Sequence, residues 1–377
     1  MIYLDSAATT FQKPAAVERA ASRSFRELSS PGRGGYPAAM AAAETAMDCR
    51  MELQQLFHAA GPERVVFTMN ATHALNIAIK SAVPTGGRVV ISGYEHNAVT
   101  RPLASLNAGV TVASGPLFRP DRVLEAFDRA TRSGADAVIC NHVSNVFGFS
   151  QPVEEIAALC RERRIPLIVD ASQSAGVLPL DVTALGAAYV AMPGHKGLYG
   201  PQGTGVLLCG ADADPQPLME GGTGSLSRQQ EMPDFLPDRL EAGTHNMPGI
   251  AGLLEGVRFV RRQGVQSICR GERRLAALAA MGLRQLPGVR VFAGENLYAQ
   301  TGVVSFIADR MDAVAVAAAL ADRGVAVRAG LHCAPLAHQS AGTIETGTVR
   351  ISFSAFNSEG EIFRFLEILT DILQGKS

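Results

Sequence analysis

A carboxylate and a lysine near the middle of the chain stand where cofactor chemistry could be carried out. The apolar run 165–169 ends at Asp170, and a second apolar run, 187–191, is soon followed by Lys196. A short apolar run that ends in a polar residue is typical of a buried strand. In open α/β sheets, ligands bind just beyond the carboxyl ends of such strands. Lys196 is therefore a candidate Schiff-base amine, because burial and neighbouring charges can lower the pKa of a lysine.

Asp170 and Lys196 together suit pyridoxal phosphate. That cofactor needs a lysine for its aldehyde and an anion beside its pyridinium nitrogen, which makes the ring an electron sink. Taken alone, the aspartate is more typical of a helix cap and the lysine of a solvated surface. The pair by itself leaves both interpretations open, so the other motifs have to decide.

The surrounding pattern predicts an α/β fold that would place both residues at one sheet edge. Strands are predicted at 64–69, 88–92, 110–113, 136–140, 165–169, 187–192 and 203–209, with helices at 14–28, 72–83, 97–107, 121–133, 152–163 and 248–263. This alternation indicates a mostly parallel sheet covered by helices on both faces. Helices at 267–285, 311–323 and 358–373, with strands at 289–292, 303–307, 325–328 and 348–353, predict a smaller α+β segment. We expect a large domain over 15–250, and a small domain formed by 1–14 and 251–377.

Length, charge and cysteine content narrow the classes of function. A chain of 377 residues can bury a large core, and a net charge of −1 gives no electrostatic footprint for nucleic acid or an acidic membrane surface. The six cysteines are dispersed, without zinc-ligand spacing, so neither a metal site nor disulfides are expected. The sequence has no apparent targeting or membrane-spanning segment, which predicts a cytoplasmic protein.

Several motifs resemble those of the class V aminotransferase fold group, in particular its cysteine desulfurase and selenocysteine lyase branch. The matching stretches are residues 3–10 (Tyr-Leu-Asp-Ser-Ala-Ala-Thr-Thr), 169–173 (Val-Asp-Ala-Ser-Gln), 194–196 (Gly-His-Lys) and 350–353 (Arg-Ile-Ser-Phe). They occur in the family's order and span nearly the whole chain. The resemblance implies the type I fold of pyridoxal-phosphate-dependent transferases.

The resemblance also implies roles for individual residues around that cofactor. Lys196 would bind its aldehyde, Asp170 its ring nitrogen, and His96 would stack on the ring and move protons. Gln173 and Asn145 would lie near the phenolic oxygen. Contacts to the phosphate are implied for Ala71, Thr72 and His195, and for Thr244 of a second subunit.

Three positions depart from the family pattern. Pro193 stands where related sequences often carry a hydroxyl residue that binds phosphate, and proline offers neither a hydroxyl nor an N–H. His73 stands at a position that is commonly acidic in the family. Gly197 is an additional residue in the motif that follows the lysine. Because of Pro193, the phosphate site is expected to be reorganised, or to bind the cofactor more weakly. The change at His73 should matter little, and Gly197 indicates a side branch of the family.

Cys333 lies in the stretch 328–334, Arg-Ala-Gly-Leu-His-Cys-Ala, which closely matches the catalytic-cysteine element of the desulfurases. A cysteine taken alone is more often a small buried hydrophobe. Seventeen residues separate Cys333 from Arg350, a short spacing that resembles the compact-loop group of the family. Arg350 would bind a substrate carboxylate bidentately through its planar guanidinium group. Alternatively, it would form an interdomain salt bridge. Arg328, Asn145 and Ala7 are also expected at the substrate, whereas Arg33 is more typical of a solvated loop.

The resulting hypothesis is a cysteine desulfurase that converts L-cysteine to L-alanine and leaves the sulfur on Cys333 as a persulfide. Lys196 would take the Cα proton, and the thiolate of Cys333 would be the nucleophile. A sulfur-acceptor protein and a homodimer with shared active sites are implied. The alternatives are a selenocysteine lyase, another class V enzyme (transaminase, epimerase or lyase), and a degenerate binding or scaffold protein. The long loop 215–238 is equally compatible with an active-site cover and with an unstructured connection.

Overall fold

The protein is described by a computed structural model over residues 1–32, 34–295 and 297–375, so Arg33 lies outside the described residues. The strands are β1 Ile2–Tyr3, β2 Val65–Thr68, β3 Arg88–Ser92, β4 Gly109–Ala113, β5 Ala137–Asn141, β6 Leu167–Asp170, β7 Tyr189–Pro193, β8 Gly205–Cys209, β9 Val289–Phe292, β10 Val303–Ala308, β11 Val325–Ala326, β12 Arg328–Gly330 and β13 Thr348–Ser352. The helices are α1 Ala15–Glu27, α2 Pro37–Phe57, α3 Ala71–Ala82, α4 Asn97–Ser105, α5 Pro120–Thr131, α6 Val153–Arg163, α7 Val182–Leu185, α8 Met247–Gln263, α9 Val265–Arg284, α10 Ala313–Asp322, α11 Pro335–Ala341 and α12 Glu359–Leu373. Short 3₁₀ turns lie at Pro62–Arg64, Asp238–Leu240 and Leu297–Ala299.

A seven-stranded sheet forms the centre of the larger part of the molecule, in the order β2-β8-β7-β6-β5-β3-β4. The neighbours from β4 to β7 pair in parallel, while β8 runs antiparallel to both β7 and β2. The central strands β5 to β8 are buried along their whole length because apolar clusters cover both faces. Val138 faces one cluster and Ile139 the other, as the period-2 geometry of a strand requires. The predicted mostly parallel sheet is confirmed.

The C-terminal part contains a four-stranded antiparallel sheet in the order β12-β13-β10-β9. Helices α9, α10 and α12 cover it, and their apolar side chains share one core with β10 and β13. The beginning of the chain joins this part, because β1 pairs in parallel with β11 and Asp5 forms a bridge with Ser352. This arrangement agrees with the predicted smaller α+β segment.

Helix α8 connects the two parts while packing on α1 and α2. Its apolar side chains from Met247 to Val257 belong to the core of the seven-stranded sheet. The helix therefore does not leave the larger part at its first turn, and residue 250 falls inside it. The division into 15–250 and 1–14 plus 251–377 stays a prediction.

Some elements differ from the sequence-based expectation. Helices α2, α7 and α11 and the short strand β1 were not predicted. The single strand expected at 325–328 is instead two strands, since β11 pairs with β1 and β12 pairs with β13. Residues 210–237 contain no helix or strand, and their use as an active-site cover stays a prediction. Among the described residues, no helix is both long and apolar enough to cross a lipid bilayer.

Candidate active site

Polar residues gather at the carboxyl ends of four neighbouring parallel strands. Strand β3 ends at Ser92, β5 at Asn141, β6 at Asp170 and β7 at Pro193. Because these strands are parallel, their ends meet at one sheet edge, where α/β proteins bind ligands. Lys196 lies in the turn directly after β7, and this connection delivers it to the same edge.

A cavity of about 120 Å³ opens at this edge and brings together eight of the predicted site residues. It is lined by Ala71, Thr72, His96, Asn145, Asp170, Gln173, His195 and Lys196, together with Asn70, Ala98, Asn141, Val143, Ser172 and Pro193. We call it the lysine pocket. Among the described residues, the other predicted site residues (Ala7, Thr244, Arg328, Cys333 and Arg350) stand outside its lining.

Lys196 and Asp170 are the lysine and the carboxylate that line the lysine pocket. Desolvation lowers the pKa of Lys196 to about 8, with Asp170 opposing that shift and Arg350 adding to it. A fraction of the amine is consequently neutral near physiological pH and can act as a nucleophile. Asp170 is 5% exposed, and its Oδ1 accepts a hydrogen bond from the backbone N–H of Ser172 at 2.9 Å. That bond fixes the carboxylate at the strand end.

The position of His96 is set by its role as the N-cap of α4. Its Nδ1 accepts from the backbone N–H of Ala98 at 3.0 Å, so in the neutral ring the proton is on Nε2. Desolvation lowers the pKa of His96, Asp170 raises it, and Lys196 lowers it further. The net direction is downward, which favours the neutral ring.

The N-terminal segment clamps the peptide that carries Lys196. The ring Nδ1 of His195 lies 3.0 Å from Thr9 Oγ1. The carbonyl oxygen of His195 accepts from Thr10 Oγ1 at 3.0 Å and from Lys13 Nζ at 2.9 Å. Desolvation, with Lys196 and Lys13 nearby, lowers the pKa of His195 to about 4. Thr9 and Thr10 lie in the matching stretch 3–10, but their contacts with His195, and that of Lys13, were not predicted, because nothing in the local pattern links them to so distant a segment.

Two amide side chains join the lysine pocket to neighbouring loops. Gln173 Nε2 donates to the carbonyl oxygen of Ala7 at 2.9 Å, and Asn145 Nδ2 donates to the carbonyl oxygen of His332 at 2.9 Å. The Oδ1 atom of Asn145 is buried and has no protein partner in the described part of the chain. Ala7 also shares a smaller cavity with Gln173 and Lys196. The structure thus places Ala7 near Lys196, while its contact with substrate stays a prediction.

Arg350 and Arg328 both bind the carboxylate of Asp5. Arg350 Nη2 lies 2.9 Å from Asp5 Oδ1, and Arg328 Nη2 lies 2.9 Å from Asp5 Oδ2. Arg350 Nη1 also donates to the carbonyl oxygen of Asn145 at 2.9 Å, whereas its Nε is buried without a partner among the described residues. Arg350 therefore does form an ion pair, although its partner belongs to the same predicted domain. The unpaired Nε leaves it able to bind a further acceptor.

Cys333 lies on the turn between β12 and α11 and is exposed, whereas the other five cysteines are buried; all six are free thiols. Both His332 and Cys333 adopt the left-handed backbone conformation, with φ of 51° and 55°. Non-glycine residues pay for this conformation in strain, which neighbouring contacts must offset. The carbonyl oxygens of the two residues accept from Asn145 Nδ2 and from the backbone N–H of Asn97. Both donors lie in or beside the lysine pocket.

Thr244 stands apart, in a second cavity of about 200 Å³ that we call the Thr244 pocket. This pocket is bordered by a buried ion pair in which Arg50 Nη1 and Nη2 lie 2.9 and 2.6 Å from the Glu241 carboxylate. Glu241 also accepts from the backbone N–H of Phe67 at 2.6 Å and contacts His245 Nε2 at 2.6 Å. These contacts fix the ends of the loop that presents Thr244.

A buried hydrogen-bond network around the carboxyl group of Glu95 joins the ends of β3 and β5. Glu95, next to His96, accepts from Ser92 Oγ at 2.5 Å and from the backbone N–H of Asn141 at 2.7 Å. Desolvation raises the pKa of Glu95 to about 8, so the carboxyl group is protonated near neutral pH. The sequence does show that Glu95 follows a predicted strand, but it does not show that the carboxyl group is buried.

The comparisons with known proteins agree with this arrangement. The class-V aminotransferase family model matches residues 2–365. The chain belongs to the class-V aminotransferase family. A probable cysteine desulfurase of Methanothermobacter thermautotrophicus is 34% identical over 98% of this chain and 94% of the relative. A cysteine desulfurase of Escherichia coli O157:H7 is 33% identical over 89% of this chain and 84% of the relative. The apo structure of the cysteine desulfurase from Thermococcus onnurineus NA1 superposes with a TM-score of 0.90, at 30% identity, covering 99% of this chain and 95% of that one.

Class-V aminotransferases depend on pyridoxal phosphate, and the lysine pocket fits that group. Its wall includes Ala71 and Thr72 in the first turn of α3, where backbone N–H groups have no partner inside the helix and suit a phosphate. Lys196, with its lowered pKa, suits the aldehyde, and the buried carboxylate of Asp170 suits the ring nitrogen. Pro193, the last residue of β7, also lines the cavity, and its side chain offers no hydroxyl to a phosphate.

Proposed function

We propose that the chain is a pyridoxal-phosphate-dependent cysteine desulfurase, which converts L-cysteine to L-alanine and receives the sulfur on Cys333. The observation that carries the proposal is the placement of Cys333. It is the exposed thiol among six, on a strained turn that is hydrogen-bonded to Asn145 of the lysine pocket and to Asn97 beside it. Relatives named as cysteine desulfurases, similar over nearly their whole length, support it further.

Residues of the lysine pocket would hold the cofactor through its three functional groups. Ala71, Thr72 and His195 would bind the phosphate, Asp170 the ring nitrogen, and Lys196 the aldehyde. When bound, pyridoxal phosphate stabilises negative charge that develops at the substrate Cα. His96, neutral with its proton on Nε2, would lie at the ring, with Gln173 and Asn145 at the edge near the phenolic oxygen.

Substrate binding and proton movement are assigned to residues around this pocket. Arg350 would bind the substrate carboxylate through its Nε, which has no partner among the described residues, with Arg328 as a second cation nearby. The amine of Lys196 would take the Cα proton, since its pKa of about 8 suits a base that works near neutral pH. Ala7, next to Gln173, would form part of the substrate wall.

Sulfur transfer would be carried out by Cys333 as a thiolate. A bond forms between its Sγ and the substrate sulfur while the substrate Cβ–S bond breaks, and the electron pair of that bond stays with carbon. Protonation of the carbon fragment gives alanine, and Cys333 is left as a persulfide. A thiol reductant or an acceptor protein then removes the outer sulfur.

The test is the release of alanine and sulfide from L-cysteine by the cofactor-loaded protein with a thiol reductant. Matched amounts of both products are expected from the wild type, and a loss of at least about a hundredfold from Cys333→Ala. Cys160→Ala is the matched control, because Cys160 is buried in α6 away from the lysine pocket. Unchanged turnover by Cys333→Ala, with bound cofactor verified by visible absorbance, would refute the assigned role.

Repeating the assay with L-selenocysteine distinguishes a selenocysteine lyase from a cysteine desulfurase. Selenium can leave without a nucleophilic thiol, so a selenocysteine lyase should still turn over L-selenocysteine in Cys333→Ala.

We also infer that the active form is a homodimer in which Thr244 completes the phosphate site of the other subunit. Two observations support this: Thr244 lies in a pocket separate from that of Lys196, and Met40, Met47 and Met51 form an exposed apolar stripe along α2. Exposed apolar patches mark interaction surfaces. Light scattering should give twice the 39.7 kDa chain mass, and Met47→Arg should shift the protein towards monomer with lower cofactor affinity. A wild-type monomer with full activity would exclude this arrangement.

A further inference from the structure

Asp5 lies between two arginines, just after β1 and beside β13 of the four-stranded sheet. Its Oδ1 accepts from Arg350 Nη2 at 2.9 Å, while its Oδ2 accepts from Arg328 Nε and Nη2 at 3.0 and 2.9 Å. Asp5 is 7% exposed and Arg350 is 3% exposed, whereas the Arg328 side chain is 52% exposed. One carboxylate thus binds two guanidinium groups, the buried one of Arg350 and the half-exposed one of Arg328.

The charges in this cluster do not balance. Two guanidinium groups, which stay protonated at any ordinary pH, face a single carboxylate, so one positive charge is in excess. The Nε of Arg350 is buried and has no protein partner in the described part of the chain. A buried charged donor without an acceptor is costly. The cluster therefore has one positive charge and one buried N–H donor, Arg350 Nε, available to a further anionic acceptor.

The surroundings of the cluster connect it to the lysine pocket. Arg350 Nη1 donates to the carbonyl oxygen of Asn145, which lines that pocket. Arg350 and Arg328 lower the pKa of Lys196, and Asp5 raises it. The backbone of Asp5 is held by the bridge to Ser352 in β13, and its carboxylate is held by the two arginines. The charge of Asp5 therefore acts on both arginines and on Lys196.

We propose that Asp5 is a positioning residue that aims Arg350 and neutralises half of the arginine pair, so that the pair accepts the single carboxylate of an amino-acid substrate and rejects small inorganic anions. This inference rests on the proposed function only in taking Arg350 as the carboxylate ligand. Without Asp5, two uncompensated guanidinium groups would attract chloride or phosphate from solution. The substrate would then have to displace that anion.

The decisive variant is Asp5→Asn, which keeps the size of the side chain and an acceptor oxygen but removes the charge. Binding of L-alanine to the cofactor-loaded protein is followed by the change in visible absorbance, at 20 and 500 mM chloride. In Asp5→Asn we expect the dissociation constant of L-alanine to rise about tenfold between the two chloride concentrations, as loss of a charged hydrogen-bond partner implies. In the wild type it should change less than twofold. Ethylamine, which lacks a carboxylate, should show no such difference between the two proteins.

A second measurement needs neither cofactor nor turnover. The unfolding temperature of the cofactor-free protein should rise with chloride in Asp5→Asn and stay nearly constant in the wild type, because an anion that binds the folded state stabilises it. Asp121→Asn, which removes the charge from an exposed ion pair with Arg119, is the matched control and should behave as the wild type.

The outcomes separate this proposal from the proposed function. Chloride-independent L-alanine binding in Asp5→Asn would overturn the role of Asp5, whatever the protein catalyses. A chloride effect without any release of sulfide from L-cysteine would support the role of Asp5 and refute the desulfurase. Should Asp5→Asn not fold, Asp5→Glu restores the charge at a greater length. That variant should then bind L-alanine more weakly than the wild type, without chloride dependence, and wild-type affinity would contradict the proposal.

Discussion

Replacing Glu241 by alanine should lower the free energy of unfolding by about 3–5 kcal/mol, because the change leaves the Arg50 guanidinium buried without its counter-charge. The side chains of Arg50 and Glu241 are 8% and 5% exposed, so water cannot take over the lost contacts. Glu241 also accepts from the backbone N–H of Phe67, which would lose its partner as well. Burial alone would raise the pKa of Glu241, but Arg50 and His245 lower it, and the net direction is downward.

Urea unfolding followed by circular dichroism measures the effect, with the wild type and Glu241→Ala compared at pH 7.5. The double variant Arg50→Met/Glu241→Met should recover most of the stability, since well-packed apolar residues can replace a buried ion pair. Because the pKa of Glu241 is lowered by folding, its contribution is present above the ordinary pKa of a glutamate and is lost as the pH falls through the folded-state pKa. A loss below about 1 kcal/mol in Glu241→Ala, or a double variant no more stable than the single one, would refute the view that this pair is desolvated.

Three further predictions follow from burial and backbone conformation. A thiol-specific disulfide reagent should modify Cys333 rapidly in the native protein and the five buried cysteines only after unfolding; rapid labelling of a second thiol would contradict the described burial. Burial raises the pKa of Glu272 from 4.5 to about 8, so its contribution to stability is fully present below pH 4.5 and is lost as the pH rises through 8. Glu272→Gln should remove that loss, roughly 1.4 kcal/mol for each unit of the raised pKa, and a pH-stability curve parallel to that of the wild type would show the assignment to be wrong. Gly148→Ala should destabilise the fold by about 1–3 kcal/mol, because the residue has a φ of +63° and an added Cβ would collide with the carbonyl oxygen of Val303; an unchanged urea midpoint would count against this.

The residues of the lysine pocket could be predicted because each follows a recognisable apolar strand. Asp170 ends β6 and Lys196 follows β7, and the parallel order of the sheet then brings them together without any further information. The resemblance to a known family placed Thr72, His96 and Asn145 at the same edge, and the cavity contains all three. Helix and strand boundaries in this region differ from the predicted ones by only a few residues.

What sequence reasoning missed depends on contacts between distant segments. Asp5 belonged to a recognised motif, yet its pairing with Arg328 and Arg350 depends on β1 joining the C-terminal part. Lys13 likewise reaches the carbonyl oxygen of His195 from a loop that shows no local signal. Helix α2 was overlooked for another reason. Its alanine- and methionine-rich sequence favours a helix by propensity but lacks a strong alternation of apolar and polar faces.

The pairing of β1 with β11 means that this part of the site can form only after residue 325 has been synthesised. Residue 2 pairs with residue 325, which is synthesised roughly 20–60 s later at ordinary rates of translation. A nascent chain that has reached residue 324 already carries Asp170 and Lys196, but neither the arginines that bind Asp5 nor Cys333. Such a chain holds the residues for cofactor binding while the groups assigned to substrate and sulfur are still to be made. The order of synthesis therefore supplies the residues of the lysine pocket before the two arginines and the thiol.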